Sequence, residues 1–382
     1  MKIKRVHING LFEREEIIDL SFKSDLNIFT GANGSGKTAI MKLIWFIISG
    51  RIVRALIEVP FKTVMIETDI YTVTVFRTGS NTCRVKWERD GKEFDFVDDD
   101  AEEFGGNAED EPNRMMGQLG RTLFFPTFRR IEGGFASRQQ RHRPSWNAFG
   151  ASEPQADIEV ALRSLSEQLS DNDHHFVSAL STSDIERLLL KQYTDASEVA
   201  SKIQQETSDQ IIDLIVSFKK EKYQSGSSEE HNSSAAEAVL DTIRSMIDDM
   251  ERQRASALSQ YNAIRNLVLR IFRHSGIKVG RLSMGDAAAA ISSDSLSAGE
   301  KQMLSFLCYN AFYGEAIVFI DEPELSLHVD WQRQLFPTLF SQQKDNQFII
   351  ATHSPFIYSK YPDKEIQLEA SRGDSEAHSE LF

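Results

Sequence analysis

Five apolar residues, Ala316 to Ile320, followed at once by Asp321, Glu322 and Pro323, constrain this chain more than any other stretch. An apolar run without alternation is what a strand covered on both faces requires. A-I-V-F-I therefore reads as a buried central strand of a parallel sheet, and the fold class as α/β. Two carboxylates then emerge at its carboxyl end, where ligands of open α/β sheets sit. Asp321 can reach a magnesium ion there while Glu322 faces a water, and Pro323 stops the strand. An acidic turn after a core strand is the competing reading; three companion motifs standing around the stretch in a set order weigh against it.

The first companion lies near the amino end. Residues 3 to 8, 17 to 22 and 26 to 30 read as short strands separated by the turn-prone Asn9-Gly10 and Lys23-Ser24-Asp25. The third strand leads into G-A-N-G-S-G-K-T, Gly31 to Thr38, which fits the phosphate loop G-x-x-x-x-G-K-[ST]. Its glycines let backbone amides turn inward around phosphates, Lys37 reaches the β and γ phosphates, and Thr38 is available to magnesium. The helix that follows, Thr38 to Ile48, points its positive end at the same anion. A glycine-rich turn with a chance Lys-Thr is the alternative, and the strand before and helix after argue against it.

The other two companions flank Asp321. Leu296 to Gln302, L-S-A-G-E-K-Q, opens a helix through Ala311. Ser297 and Glu300 have capping-box spacing, so a well-capped helix accounts for them. Free amides at a helix start, a serine hydroxyl and Gly299 for close approach also make a second phosphate-binding device, and both readings can hold together. After Asp321-Glu322 come the turn Ser326-Leu327-His328 and a second buried strand, Gln347 to Ala351, which ends in Thr352-His353-Ser354-Pro355.

Between these halves the pattern changes. Residues 64 to 78 and 82 to 97 alternate apolar and polar side chains around the turns Gly79-Ser80-Asn81 and Asp90-Gly91, as a small antiparallel sheet would. Glu88 to Glu111 holds twelve acidic residues against Arg89 and Lys92, a solvated loop or an electrostatic lure for a basic partner. From 114 to 143 the sign inverts: seven arginines stand against Glu132 alone, with Phe124, Phe125, Phe128, Phe135 and Trp146 interleaved or close by. Three readings compete there: nucleotide phosphate or subunit contact, nucleic acid, and pairing with the acidic block upstream.

From about Ile158 to Phe272 the chain turns helical, and Val239, Ile243, Met246, Met250, Ala257, Ile264, Leu267 and Ile271 trace a seam at three-and-four spacing. A helix from Ser234 to Arg273 would be roughly 60 Å long. Segments around Ile185 to Leu190, Ile203 and Ile211 to Phe218 supply its antiparallel partners, and residues 224 to 234 read as a polar hairpin loop. His174, His175 and His231 fall in polar loops and read as solvated. The expected division is 1–150, a helical insertion at 151–275, and 276–382.

With four ordered motifs in place, the chain resembles the ATP-binding-cassette (ABC) ATPases of the RecF, SMC and OLD branch, over about residues 1 to 135 and 276 to 365. In that family L-S-A-G-E-K-Q is the signature and Thr352-His353-Ser354 carries the switch histidine. The resemblance implies an α/β ABC ATPase head, a P-loop parallel or mixed sheet with an appended antiparallel β subdomain, plus an inserted α-helical lobe. It implies ATP and Mg2+ as cofactors. Gly31, Asn33, Gly34, Ser35, Gly36, Lys37 and Thr38 would cradle the nucleotide, and Thr38 and Asp321 would support the metal. Glu322 would be the general base for water, and His353 would sense the γ phosphate. Ser297 and Gly299 would contact ATP bound to the opposite subunit, so that two heads close face to face in a dimer or higher homo-oligomer. Residues 121 to 134, R-T-L-F-F-P-T-F-R-R-I-E-G-G, lie where such ATPases link the nucleotide site to the helical arm. Gln118 is the candidate for the glutamine that loop requires.

Ala298 and Glu300 depart from the transporter signature L-S-G-G-Q, which favours the repair and defence branch. The E-L-S-L-H wording, the short insertion and F-P-T-F-R-R-I-E-G-G look most like the stand-alone ATPase subunit of PARIS-type anti-phage systems, with retron and Septu ATPases close behind. That likeness implies a sensor and scaffold ATPase that answers a phage-derived trigger and controls a separately encoded effector nuclease. Twenty-nine residues follow His353, so a nuclease is expected on another polypeptide. The rival is a DNA-binding repair clamp like RecF.

Bulk properties exclude other classes. Leu43 to Ile48, the longest apolar run near the amino end, is too short to span a bilayer, and Met1-Lys2-Ile3-Lys4-Arg5 lacks a signal-peptide apolar segment. The expectation is a cytoplasmic protein with no membrane partner. Cys83 and Cys308 have no Cys or His at metal-ligand spacing and read as core thiols. A net charge of −14 argues against a chain that coats nucleic acid over its whole surface, while leaving room for a local basic patch.

Overall fold

The computed structural model describes residues 1–98, 107–127, 130–131, 164–171, 173–180, 182–225, 229–274 and 297–368. They divide into two units, Met1–Ser181 with Ser297–Phe382, and Thr182–Leu296.

The first unit is built on two six-stranded sheets and a parallel pair of short strands, β9 (Arg130–Ile131) and β11 (Ala179–Leu180). The antiparallel one comprises β1 (Ile3–Asn9), β2 (Ile17–Ser21), β4 (Thr63–Thr68), β5 (Thr72–Arg77), β6 (Cys83–Arg89) and β7 (Lys92–Val97), ordered β2-β1-β4-β5-β6-β7. Burial alternates along β4, β5 and β6, so one face points into the core, as the period-two pattern requires. The alternation across 64 to 78 proves to be two strands. Thr68 makes the turn between them, its hydroxyl accepting the backbone N–H of Ile70 and Tyr71 at 3.1 and 2.9 Å.

The other sheet is parallel throughout. It contains β3 (Leu26–Thr30), β8 (Thr122–Phe125), β10 (His174–Phe176), β12 (Ile317–Asp321), β13 (Gln347–Ala351) and β14 (Glu365–Gln367), ordered β10-β8-β12-β13-β3-β14. Every residue of β3, β8, β12 and β13 is buried, which is why the apolar runs show no alternation.

Helix α1 (Lys37–Ile48) is apolar on all sides from Leu43 onward, with Ile40, Met41 and the six residues Leu43 to Ile48 all buried. A helix without a polar face belongs inside, and one continuous core joins it to the inward faces of both sheets. Trp45 sits at its centre, with ring centroids of Phe46, Phe124 and Phe176 within 5.4 Å.

Three expectations are corrected here. The first half of the head does not end at 150: β10 pairs with β8, which carries the head through Ser181, and the insertion starts at Thr182. His174 is not solvated but fully buried within β10, its Nδ1 2.9 Å from Thr122 Oγ1. Burial pushes its pKa down to about 4, so the ring is neutral. In the acidic stretch, Glu109 is buried beside Cys83, with Sγ 3.7 Å from Oε2, and burial raises its carboxyl above the ordinary range. Residues 99–106 of that stretch lie outside the described residues.

The second unit is a pair of helices, α4 (Thr182–Ser225) and α5 (Glu229–His274), which pack against each other. Val239, Ile243, Met246, Met250 and Ala257 are partly buried along the seam their spacing predicts, while Leu240 and Ile247 beside it are exposed. Of the expected loop at 224–234, residues 224–225 belong to α4 and 229–234, His231 among them, to α5, while 226–228 lie outside the described residues. Helix α3 (Asp110–Met116) and α2 (Ile52–Glu58) complete the first unit's early helices, while α6 (Ala298–Phe312) and α7 (Val329–Phe340) flank β12 in sequence. Among the described residues no helix is long and apolar enough to cross a membrane.

Candidate functional site

The carboxyl ends of β3, β12 and β13 converge because the three strands are parallel and in register: Asp321 pairs with Ala351, and Ala351 with Phe29. At the end of β3 the phosphate loop turns into α1 through Gly36, whose φ of 97° is one that L side chains rarely adopt. Lys37 is 6% exposed and folds back over its own loop. Its Nζ donates to the carbonyls of Gly31 at 2.9 Å and Ala32 at 3.0 Å, with Ser35 Oγ at 3.5 Å. Burial lowers its pKa, against the opposite pull of Glu322, Asp321 and Glu324. A poorly solvated cation held by neutral carbonyls gains by meeting an anion.

At the end of β12, Asp321 is 1% exposed. Thr38 Oγ1 donates to its carboxylate, 2.9 Å from Oδ2 and 3.1 Å from Oδ1. Thr127, just past β8, donates to Oδ2 as well. A hydroxyl and a carboxylate at a helix amino terminus are hard oxygen donors of the kind magnesium takes, together with phosphate oxygens. No group of three or more His, Cys, Asp or Glu among the described residues could hold a metal by itself.

Glu322 begins the next turn with φ 49°, and its N–H donates to the Ala351 carbonyl at 2.8 Å. A non-glycine residue in the left-handed region costs on the order of 1–3 kcal/mol and is commonest at functional sites. Its carboxyl pKa is raised, first by burial and then by Asp321 and Glu324, while His353 and Lys37 pull it down. A carboxylate so tuned accepts a proton more readily than an exposed one. Glu322 and His353 line one cavity of about 240 Å³ with Asn33, Gly34, Gly36, Lys37 and Thr38.

Not every expected site residue reaches this cavity. Gly31 and Ser35 serve it indirectly, as acceptors around Lys37. Ser297 and Gly299 do not line it. Ser297 caps α6 in a full capping box, its backbone N–H donating to Glu300 Oε2 at 2.8 Å and its Oγ accepting from the Glu300 N–H at 3.3 Å. Gln118 is exposed and precedes β8, at the amino end of a strand whose carboxyl end approaches Asp321. It is therefore on the wrong edge of the sheet for the site, and Thr127 stands where a side chain following that strand meets Asp321. Of the arginine-rich stretch, Arg114 pairs with Glu111 and Arg121 lies 3.4 Å from Asp173; 128–129 and 132–143 lie outside the described residues.

Three residues of the site escaped sequence reasoning. Phe12, in a short turn of left-handed residues after β1, lines the cavity, and the Arg14 guanidinium lies 5.9 Å from its ring. Thr127 gave no spacing signal. Glu324 did stand in plain sight in D-E-P-E: its Oε2 accepts from Thr352 Oγ1 at 2.8 Å and its Oε1 from the His353 N–H at 2.7 Å.

Comparison with known proteins adds relatives by sequence and by shape. The chain is 37% identical over 75 residues to the Retron Ec83 probable ATPase of Escherichia coli, covering 16% of this chain and 14% of that protein. It is 26% identical over 152 residues to the Retron Vc95 probable ATPase of Vibrio cholerae serotype O1 biovar El Tor, covering 39% and 28%. The matches thus span less than a third of either relative. Among solved structures, a Pyrococcus furiosus Smc head domain with an extended coiled coil, bound to the C-terminal domain of ScpA, aligns at TM-score 0.38 and 13% identity, covering 94% of this chain and 91% of that one. A Pyrococcus yayanosii Smc head domain with a coiled coil and joint aligns at 0.37 and 10%, covering 94% and 93%. The family model described as "AAA domain, putative AbiEii toxin, Type IV TA system" matches residues 26–359, and the chain belongs to that family.

Proposed function

We propose that this protein is a magnesium-dependent ATPase of the ABC type, working as a switch in a phage-defence system. One observation carries the reading: Thr38 of the phosphate loop donates to Asp321, with Glu322 and His353 lining the same cavity as Lys37. Lys37 and the loop amides bind the phosphates, and Thr38 and Asp321 hold the magnesium, which when bound neutralises charge on the β and γ phosphates. Glu322 takes the proton of the attacking water, and His353 senses the γ phosphate. Phe12 offers an aromatic face on which a base can stack.

Ser297 and Gly299, absent from the cavity of their own chain, fit a role at the nucleotide of a second copy, so that ATP joins two heads and hydrolysis loosens them. The defence setting draws on the family description and on the retron ATPases named above, and the output is control of a separately encoded effector nuclease. PARIS-type systems are the specific setting we favour.

Calorimetry and phosphate release test the core of this reading. The wild-type protein with Mg2+ should bind and slowly hydrolyse ATP, while Lys37→Ala, which loses a main countercharge to the triphosphate, should bind none. Normal ATP affinity in Lys37→Ala would sink it. For the setting, salt-dependent retention on DNA without a co-purifying partner would point instead to a repair clamp.

A further inference from the structure

We propose that Glu324 is a positioning residue that sets the loop 352–354 against the phosphate cradle, so that His353 is presented to the γ phosphate. The inference rests on the ATPase reading above. The His353 side chain is exposed, so its placement at the cavity depends on its backbone. That backbone is held by one carboxylate. Glu324 Oε1 accepts the His353 N–H at 2.7 Å while Oε2 accepts the hydroxyl of fully buried Thr352 at 2.8 Å. Both are bonds to a charged acceptor, about twice the strength of neutral ones.

The hold extends beyond one residue. Thr352 Oγ1, whose hydroxyl donates to Glu324, also accepts the N–H of Ser354 at 3.0 Å. Ser354 Oγ donates to Gln332 Oε1 at 2.6 Å, and Gln332 Nε2 returns to the Leu327 carbonyl at 2.8 Å. The loop after β13 is thus tied to the turn after β12 at two points, Glu324 and Leu327. Glu322 begins that same turn two residues before Glu324, so one turn holds both the water-facing carboxylate and the histidine although they end different strands. Among the hydrogen bonds of the described residues, Glu324 touches neither Lys37 nor Thr38.

The test uses the full chain with Glu324→Ala and Glu324→Gln, the latter keeping one acceptor for the His353 N–H. ADP affinity, set by the phosphate loop, should stay within about twofold of wild type in both. The preference for ATP over ADP should fall about tenfold in Glu324→Ala, with KM for ATP raised in step and kcat lowered as well, and Glu324→Gln should recover part of the loss. In the nucleotide-free protein the His353 amide should exchange faster with solvent in Glu324→Ala. A wild-type ATP-to-ADP ratio and wild-type amide exchange in Glu324→Ala would overturn the proposal while leaving the ATPase reading intact. Failure of the wild-type protein to bind ATP would overturn the ATPase reading, and the role toward γ phosphate with it; unchanged exchange at His353 then overturns the holding contact itself.

Discussion

Gly299 lies so close to Ser326 that a Cβ built on it would stand 2.4 Å from the Ser326 carbonyl oxygen. The start of α6 is thereby seated on the turn that follows Glu322, and buried Gln302, one helical turn on, donates to the Pro323 carbonyl at 3.1 Å. Backbone cannot yield as a flexible side chain does, so Gly299→Ala should force the two segments apart. The expected cost is about 1–3 kcal/mol, read as a lowered denaturation midpoint. Unchanged stability would mean the contact is looser than this.

Ser297 separates a structural from a catalytic role. Ser297→Ala removes the cap and should cost about 1 kcal/mol. Ser297→Arg should leave single-site ATP binding in place yet abolish hydrolysis, if the partner's nucleotide docks there. Mixed with Lys37→Ala, equally inactive alone, it should regain activity through one composite site. Full activity of Ser297→Arg at dilutions where the protein is monomeric would reduce Ser297 to a helix cap.

Glu322→Gln should bind ATP normally and turn over on the order of a hundredfold more slowly, since only the proton acceptor is lost. The raised pKa adds a pH dependence with a definite sign. A base works deprotonated, so wild-type kcat should fall as pH drops through the Glu322 pKa, and should begin to fall at a higher pH than an ordinary carboxylate would cause. A kcat flat down to the ordinary carboxylate range contradicts this.

Thr127→Val keeps the shape and removes a hydroxyl that donates to Asp321, leaving that of Thr38 in place. The expected result is about a tenfold increase in the magnesium concentration for half-maximal turnover, with ADP affinity measured without metal unchanged. The same substitution with an unaltered magnesium dependence would leave Thr127 a packing residue.

His174 predicts how stability responds to acid. Its folded-state pKa of about 4 lies below the ordinary value of 6.5, so between these pH values the unfolded chain binds more protons. Stability is fully present above about pH 6.5 and declines towards pH 4, by up to about 3 kcal/mol from this one ring. Denaturant melts at pH 7.0 and 4.5 check it: in His174→Leu the difference between the two should shrink.

Much of the chemistry was legible in local spacing. The phosphate loop, the capped helix after Leu296, the buried strand ending in Asp321-Glu322 and the histidine after β13 each occupy one short window, and short windows are what hydrophobic period and motif spacing report. The seam of α5 was legible for the same reason, since a helix repeats its face every three to four residues.

Tertiary structure alone decided the rest. Thr127 meets Asp321 across 194 residues, and Glu324 meets His353 across 29, joined by strand order in a parallel sheet and not by any repeat. The same sheet removed Gln118 from the site by putting it at the amino end of β8, and it buried His174 by pairing β10 with β8. Residue type and local spacing determine which groups can bind phosphate, hold a metal or accept a proton. Which of them share a cavity depends on strand direction and register, and these are set by packing between segments hundreds of residues apart.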